Sequence, residues 1–130
     1  MINKILIIDD SAITQQIYRM VLARYECQIV AAHDGQDGLE KLAKNADVNL
    51  ILVDLNMPIM NGLEFIKKVS EEKIYPHIPI VIVSTEGKDE DTQKGLSLGA
   101  KAYVKKPLWP GDLHALIEKL CPTPLDSEAT

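Results

Sequence analysis

The chain has 130 residues, 46% of them hydrophobic, which suits one ordinary globular domain with a two- or three-layer core. A net charge of -5 removes the basic footprint on which non-specific nucleic-acid affinity depends, so direct nucleic-acid binding is not expected. No apolar stretch approaches the roughly 20 residues that span a bilayer, and the Met-Ile-Asn-Lys start lacks the apolar segment of a secretory signal, so no membrane span and a cytoplasmic location are expected.

In chain order, the first predicted element is the apolar run Ile5 to Ile8, which reads as a strand buried on both faces and ends in Asp9-Asp10. Ile13, Ile17, Met20 and Val21 follow at helical spacing, with Ser11 placed to cap that helix. A second strand is predicted over Gln28 to Ala32, and after Gly35 the residues Leu39, Leu42 and Ala43 mark a second helix. Leu50 to Val53 is the third strand and runs into Asp54. Leu63, Ile66 and Val69 mark a third helix after Asn61-Gly62. Ile80 to Val83 runs into Ser84-Thr85. Asp89 to Leu98 reads as a fourth helix, with acids at its start and Gly99 past its end as a left-handed cap. Ala102 to Val104 runs into Lys105-Lys106-Pro107, and Leu113, Leu116, Ile117 and Leu120 mark the last helix, with Pro110 near its first turn.

Strict alternation of buried strands and amphipathic helices predicts an α/β fold, a doubly wound parallel sheet covered by helices on both sides. Such a sheet gathers its chemistry at the carboxyl ends of the strands. Asp9, Asp10, Asp54, Ser84 and Lys106 all stand at strand ends. If the strands lie side by side, these groups can hold a divalent cation and a phosphoryl group. Two adjacent acids ending a buried strand repel each other unless a cation sits between them, which favours a metal role over simple helix capping. Cys27 and Cys121 match no zinc or CxxC spacing and read as reduced thiols. Residues 1–121 are expected to form the domain, and the polar stretch 122–130, with two prolines, a flexible tail or the start of a linker.

Asp9-Asp10-Ser11, then Asp54-Leu55-Asn56-Met57-Pro58-Ile59-Met60-Asn61-Gly62, then Ser84-Thr85, then Gly99 to Pro107 resemble the receiver domains of two-component response regulators. Each piece alone occurs by chance; all of them in order, each at a strand end, make a specific signal across nearly the whole chain. The resemblance implies five strands in the flavodoxin-like order 2-1-3-4-5 with five helices. It implies that Asp54 accepts a phosphoryl group from a histidine kinase or histidine phosphotransferase. Asp10, Asp9, Asp54 and the backbone carbonyl of Asn56 would hold Mg²⁺ or Mn²⁺, with Lys106 and Ser84 contacting phosphoryl oxygens. It further implies a switch role for Ser84 and Tyr103, a cis Lys106–Pro107 bond, and tuning of dephosphorylation by Asn56 and Glu86, whose side chains can orient water. Thr85 departs from the small residue usual beside the hydroxyl.

Rival classes fit these residues less well. A haloacid-dehalogenase phosphatase needs Asp-x-Asp where this chain has Asp54-Leu55-Asn56, and a flavodoxin needs glycines and hydroxyls where Asp9-Asp10 would repel a phosphate. A phosphate-independent pseudo-receiver would lack part of the acid, hydroxyl and lysine set. The expected protein is therefore a phosphoacceptor rather than an enzyme, a monomer or a weak phosphorylation-linked dimer. With no room for an output domain, it would signal through its fourth helix, fifth strand and fifth helix, around Lys94, Tyr103, Lys105 and Trp109. Chemotaxis is the expected pathway, with a phosphorelay intermediate or the receiver part of a longer regulator as alternatives. His33, His77 and His114 are not spaced for metal and are read as surface or helix-side residues.

Overall fold

A computed structural model of the chain describes residues 2–55, 60–72, 78–84, 90–106 and 109–121, with Ser84 described by its backbone alone. Among these residues strands and helices alternate as β1 (Lys4–Ile8), α1 (Ala12–Leu22), β2 (Gln28–Ala32), α2 (Gly35–Lys44), β3 (Leu50–Asp54), α3 (Gly62–Glu72), β4 (Ile80–Ser84), α4 (Glu90–Ser97), β5 (Ala102–Lys105) and α5 (Pro110–Leu120). All neighbouring strands pair in parallel, in the order β2-β1-β3-β4-β5. Asn56, Thr85, Glu86, Pro107, His77 and the 122–130 tail lie outside the described residues, and so do the expectations that rest on them.

Because successive side chains of a strand point to opposite faces, each buried run feeds two cores at once. Leu6, Ile8, Ile51, Val53 and Ile82 pack with Leu42, Phe65 and Ile66 on one side of the sheet. Ile5, Ile7, Leu50, Leu52, Val81, Val83 and Val104 pack with Tyr18, Leu22, Leu113 and Ile117 on the other. This double use explains why the strands read as unbroken apolar runs rather than alternating ones.

The helix ends follow local chemistry. Ser11 caps α1 by accepting from Thr14 N at 3.2 Å, as predicted, and Asp34 caps α2 by accepting from Asp37 N at 2.8 Å. Pro110 stands in the first turn of α5, where its missing N–H costs nothing. Gly99, past the end of α4, has φ +124°, a backbone open to glycine and strained for other residues. At Gly62 the demand is space: a Cβ there would fall on Asp54 O and lie 2.8 Å from its carbonyl carbon, so only glycine lets α3 start against the end of β3.

Helix α1 forms where its periodicity predicts, yet Ile13, Ile17 and Met20 of its predicted stripe face away from the sheet while Val21 packs against the core. Ile13 and Met20 are 75% exposed and Ile17 is 41% exposed, whereas Tyr18 and Leu22 carry the buried face. Spacing reports that a helix has a stripe, not which side the sheet lies on, and α1 carries apolar residues on both. Its C-terminal end is tied to α5 through His114. The ring's Nε2–H donates to Val21 O at 2.7 Å, and its Nδ1 accepts from the Arg24 guanidinium at 2.9 Å, a tautomer assigned from these partners.

Candidate functional site

The sheet register sets the site. Ile8 pairs with Val53, so Asp9 and Asp54 leave adjacent strands at the same level, and Ser84 pairs with Lys105, so Lys106 leaves β5 just above that level. Each of these positions follows an apolar run buried in the sheet, and the carboxylates are drawn to the water-facing edge only where the run ends. Ligand oxygens of Asp9, Asp10 and Asp54 lie within 4.8 Å of one another. The Lys106 ammonium bridges two of these acids, 3.1 Å from Asp9 Oδ2 and 3.2 Å from Asp54 Oδ2.

The three acids differ in freedom. Asp9 is 1% exposed and tied on both carboxylate oxygens, because its Oδ1 accepts from Ser11 N at 2.9 Å while its Oδ2 meets Lys106. Asp54 is 6% exposed, and Asp10 is exposed. Among the described residues, a cluster of three carboxylates against one ammonium carries excess negative charge at short range. That excess is what an incoming cation neutralises, and an all-oxygen donor set fits Mg²⁺ or Mn²⁺.

Burial pulls the Lys106 ammonium toward neutrality, but the charges of Asp54 and Asp9 and the hydrogen bonds to both outweigh it, and its pKa stands above the ordinary lysine value. Tyr18, buried beneath the site, has its phenol pushed well above its usual value by burial first and then by the negative charges of Asp9 and Asp54. Both groups hold their protons more tightly in the folded chain than in the unfolded one. Their contribution to stability is therefore complete below the unfolded values, near pH 10, and is lost as pH climbs through the raised ones. Urea unfolding followed by circular dichroism between about pH 9 and 11 is expected to show that loss, and Tyr18→Phe is expected to flatten it. Equal pH slopes for the two chains would remove Tyr18 from the account.

The structure thus brings together Asp9, Asp10, Asp54 and Lys106, four of the predicted site residues. Ser84 ends β4 beside them by its backbone, while Tyr103 lies on β5, 38% exposed. Trp109, expected on the signalling face, is 67% exposed at the start of α5. Sequence reasoning missed two residues on the inner face of α1, Gln15 and Tyr18. The signal for Tyr18 was its i,i+4 relation to Leu22, which defines the inward stripe. Among the described residues no helix is long and apolar enough to cross a membrane.

Residues 5–118 match the family described as the response regulator receiver domain. The chain is 37% identical over 121 residues to a chemotaxis protein CheY homolog of Campylobacter jejuni, covering 92% of this chain and 93% of that one. It is 38% identical over 117 residues to chemotaxis protein CheY1 of Helicobacter pylori, covering 88% and 94%. Among solved structures it is similar to the chemotaxis protein CheY4 of Vibrio cholerae, with a TM-score of 0.82 at 32% identity, covering 92% of this chain and 99% of that one. With the acids and the lysine gathered at the carboxyl edge of a 2-1-3-4-5 sheet, the chain belongs to the response regulator receiver domain family and is a CheY-like signalling domain.

Proposed function

We propose that this receiver takes a phosphoryl group from a phosphohistidine onto Asp54 and that a partner protein reads the phosphorylated state. One observation carries the reading: the Lys106 ammonium sits between Asp9 and Asp54, with the Asp10 carboxylate open to solvent beside them. In the transfer an Asp54 carboxylate oxygen bonds to phosphorus, the P–N bond to the donor imidazole breaks, and the electron pair leaves with the ring nitrogen. Lys106 already holds the attacking carboxylate and follows the negative charge as it moves onto the phosphoryl oxygens.

Asp10 and Asp54, with Asp9 directly or through water, would hold Mg²⁺ or Mn²⁺, and the Asn56 carbonyl is the remaining protein ligand proposed. When bound, the cation supplies positive charge against the phosphoryl oxygens. The Ser84 hydroxyl donates to another of those oxygens, and Tyr103, 38% exposed, turns inward as Ser84 engages. Asn56 and Glu86 orient the water that ends the signal, and a cis Lys106–Pro107 bond aims the lysine. Residues 1–121 form this receiver, and 122–130 a tail or linker. The protein works in the cytoplasm as a phosphoacceptor with no turnover of a separate substrate. The α4, β5 and α5 face is read by the downstream partner, in a chemotaxis pathway of the kind named for its relatives.

The test is phosphoryl uptake from acetyl phosphate with Mg²⁺. One hydroxylamine-sensitive phosphoryl group per chain, prevented by chelator, is expected; its absence in a folded chain sinks the reading.

The donor protein has to sit over Asp54, and the outward stripe of α1 begins beside Asp10. Ala12, Ile13, Gln16 and Ile17 line a shallow groove there of about 330 Å³. An apolar patch on the helix that follows the acid loop is suited to docking the histidine-bearing kinase or phosphotransferase. Ile17→Glu is therefore expected to slow transfer from a phosphorylated histidine protein by about tenfold or more while leaving acetyl phosphate uptake unchanged. Equal slowing with both donors would assign the effect to the pocket instead.

A further inference from the structure

We infer that Gln15 is a positioning residue that aims the acid loop for divalent-cation binding, an inference that rests on the receiver reading above. Gln15 lies on the inner face of α1, one turn past the Ser11 cap. Its side-chain Nε2 donates toward three backbone carbonyls, Ile7 O at 3.2 Å, Asp9 O at 3.1 Å and Ala32 O at 3.3 Å. Those oxygens belong to the end of β1, the acid loop itself and the end of β2. The amide orientation follows from them, since the flipped amide would set an oxygen against three oxygens.

The consequence lies in the peptide joining Asp9 to Asp10. A peptide unit is planar, so holding the Asp9 carbonyl oxygen fixes the plane from which Asp10 departs. With Gln15 in place Asp9 is held at every polar atom: its N–H donates to Ala32 O at 3.0 Å, its O accepts from Gln15, its Oδ1 accepts from Ser11 N at 2.9 Å and its Oδ2 from Lys106 at 3.1 Å. On the other side of Asp10, Ser11 is locked as the cap of α1. Asp10, the exposed acid of the cluster, is thus aimed by backbone secured on both sides. Gln15 is the tie that secures it from the helix.

Packing alone is a poor reason for this residue. Gln15 Oε1 is buried and has no hydrogen-bond partner among the described residues, a cost that a methionine of similar length would avoid. A side chain that keeps a buried acceptor unsatisfied to place its donor on the loop of a candidate cation site fits a positioning role, in the way outer partners orient metal ligands.

The experiment is calorimetric titration of the whole chain with Mg²⁺ alone and Ca²⁺ alone, in the parent, Gln15→Met, Gln15→Asn and the control Gln36→Met at an exposed position of α2. Gln15→Met is expected to bind Mg²⁺ about tenfold more weakly. It is also expected to lose part of the parent's preference for Mg²⁺ over Ca²⁺, because a loosened loop no longer imposes the tight geometry that the smaller ion needs. Gln15→Asn keeps the amide but falls a methylene short of the carbonyls. It is expected to show the same shift and serves if Gln15→Met fails to fold. Gln36→Met is expected to match the parent. A general loss of stability would not move the ratio of the two affinities. A folded Gln15 variant with the parent's Mg²⁺ affinity and the parent's ratio overturns this inference alone, whereas a parent chain that binds no Mg²⁺ overturns it together with the cation site of the proposed function.

Discussion

An Asp54→Asn chain is expected to lose phosphoryl uptake by at least about 100-fold and, in metal-free buffer, to unfold at a higher temperature than the parent. The first effect follows from the chemistry proposed for the site: an amide oxygen is a poor nucleophile, and Asp9, the other acid paired with Lys106, is already tied on both carboxylate oxygens. The second follows from charge. Three carboxylates with ligand oxygens within 4.8 Å face one ammonium among the described residues, and at that range each like-charge pair repels. Removing one charge relieves the repulsion while the amide fills the same volume. A gain of the order of 1 kcal/mol would raise the midpoint by about 3–6 °C in a domain of this size. The two measurements are phosphoryl incorporation from acetyl phosphate and thermal unfolding in chelator. Uptake equal to the parent's would move the acceptor elsewhere; a lower midpoint would mean that the acids are not in mutual strain.

That opposition between stability and chemistry is also why the site was legible in the sequence. An aspartate pair ending a buried strand, and a third aspartate ending another, contradict the local preference of a strand and have no packing benefit. The strands themselves were legible because two-sided burial leaves unbroken runs, and Gln28–Ala32 matches its predicted limits residue for residue. Strand order was not legible from the runs, since a strand carries no local record of its neighbour; it came with the resemblance to receivers and agrees with the observed sheet.

The orientation of α1 was illegible for a similar reason. Ile13, Ile17 and Met20 made the stronger stripe, but a helix with apolar residues on opposite faces cannot be oriented by periodicity, and Tyr18 with Leu22 took the sheet. Gln15 was illegible because a glutamine on a helix reads as solvated until three carbonyls are found around its nitrogen. The same holds for His114, whose clamp to Val21 O and Arg24 spans 93 and 90 residues of sequence.

Removal of Lys106 tests the other half of the electrostatic argument, because it takes away the ammonium that bridges Asp9 and Asp54. Their side chains are 1% and 8% exposed, and that of Lys106 is 20% exposed, so the pair is largely shielded from water. Deleting one partner of a buried ion pair leaves the other charge uncompensated, at a cost of about 3–5 kcal/mol when burial is complete. The partly exposed ammonium places Lys106→Ala at or somewhat below the lower end of that range, roughly 2–3 kcal/mol, in metal-free urea unfolding. Millimolar Mg²⁺ is expected to recover a large part of the loss, because a divalent cation neutralises the same acids. Phosphoryl uptake is not expected to recover with it, since the lysine's contact with the moving charge is absent, and a loss of about 100-fold is expected at saturating Mg²⁺. The double substitution Lys106→Ala with Asp54→Asn separates the two roles. If the ion pair is the cause, the double variant is expected to be more stable in chelator than Lys106→Ala alone, with a coupling of about 1–3 kcal/mol. Strict additivity would show instead that Lys106 stabilises the fold through its aliphatic stem and not through the acids.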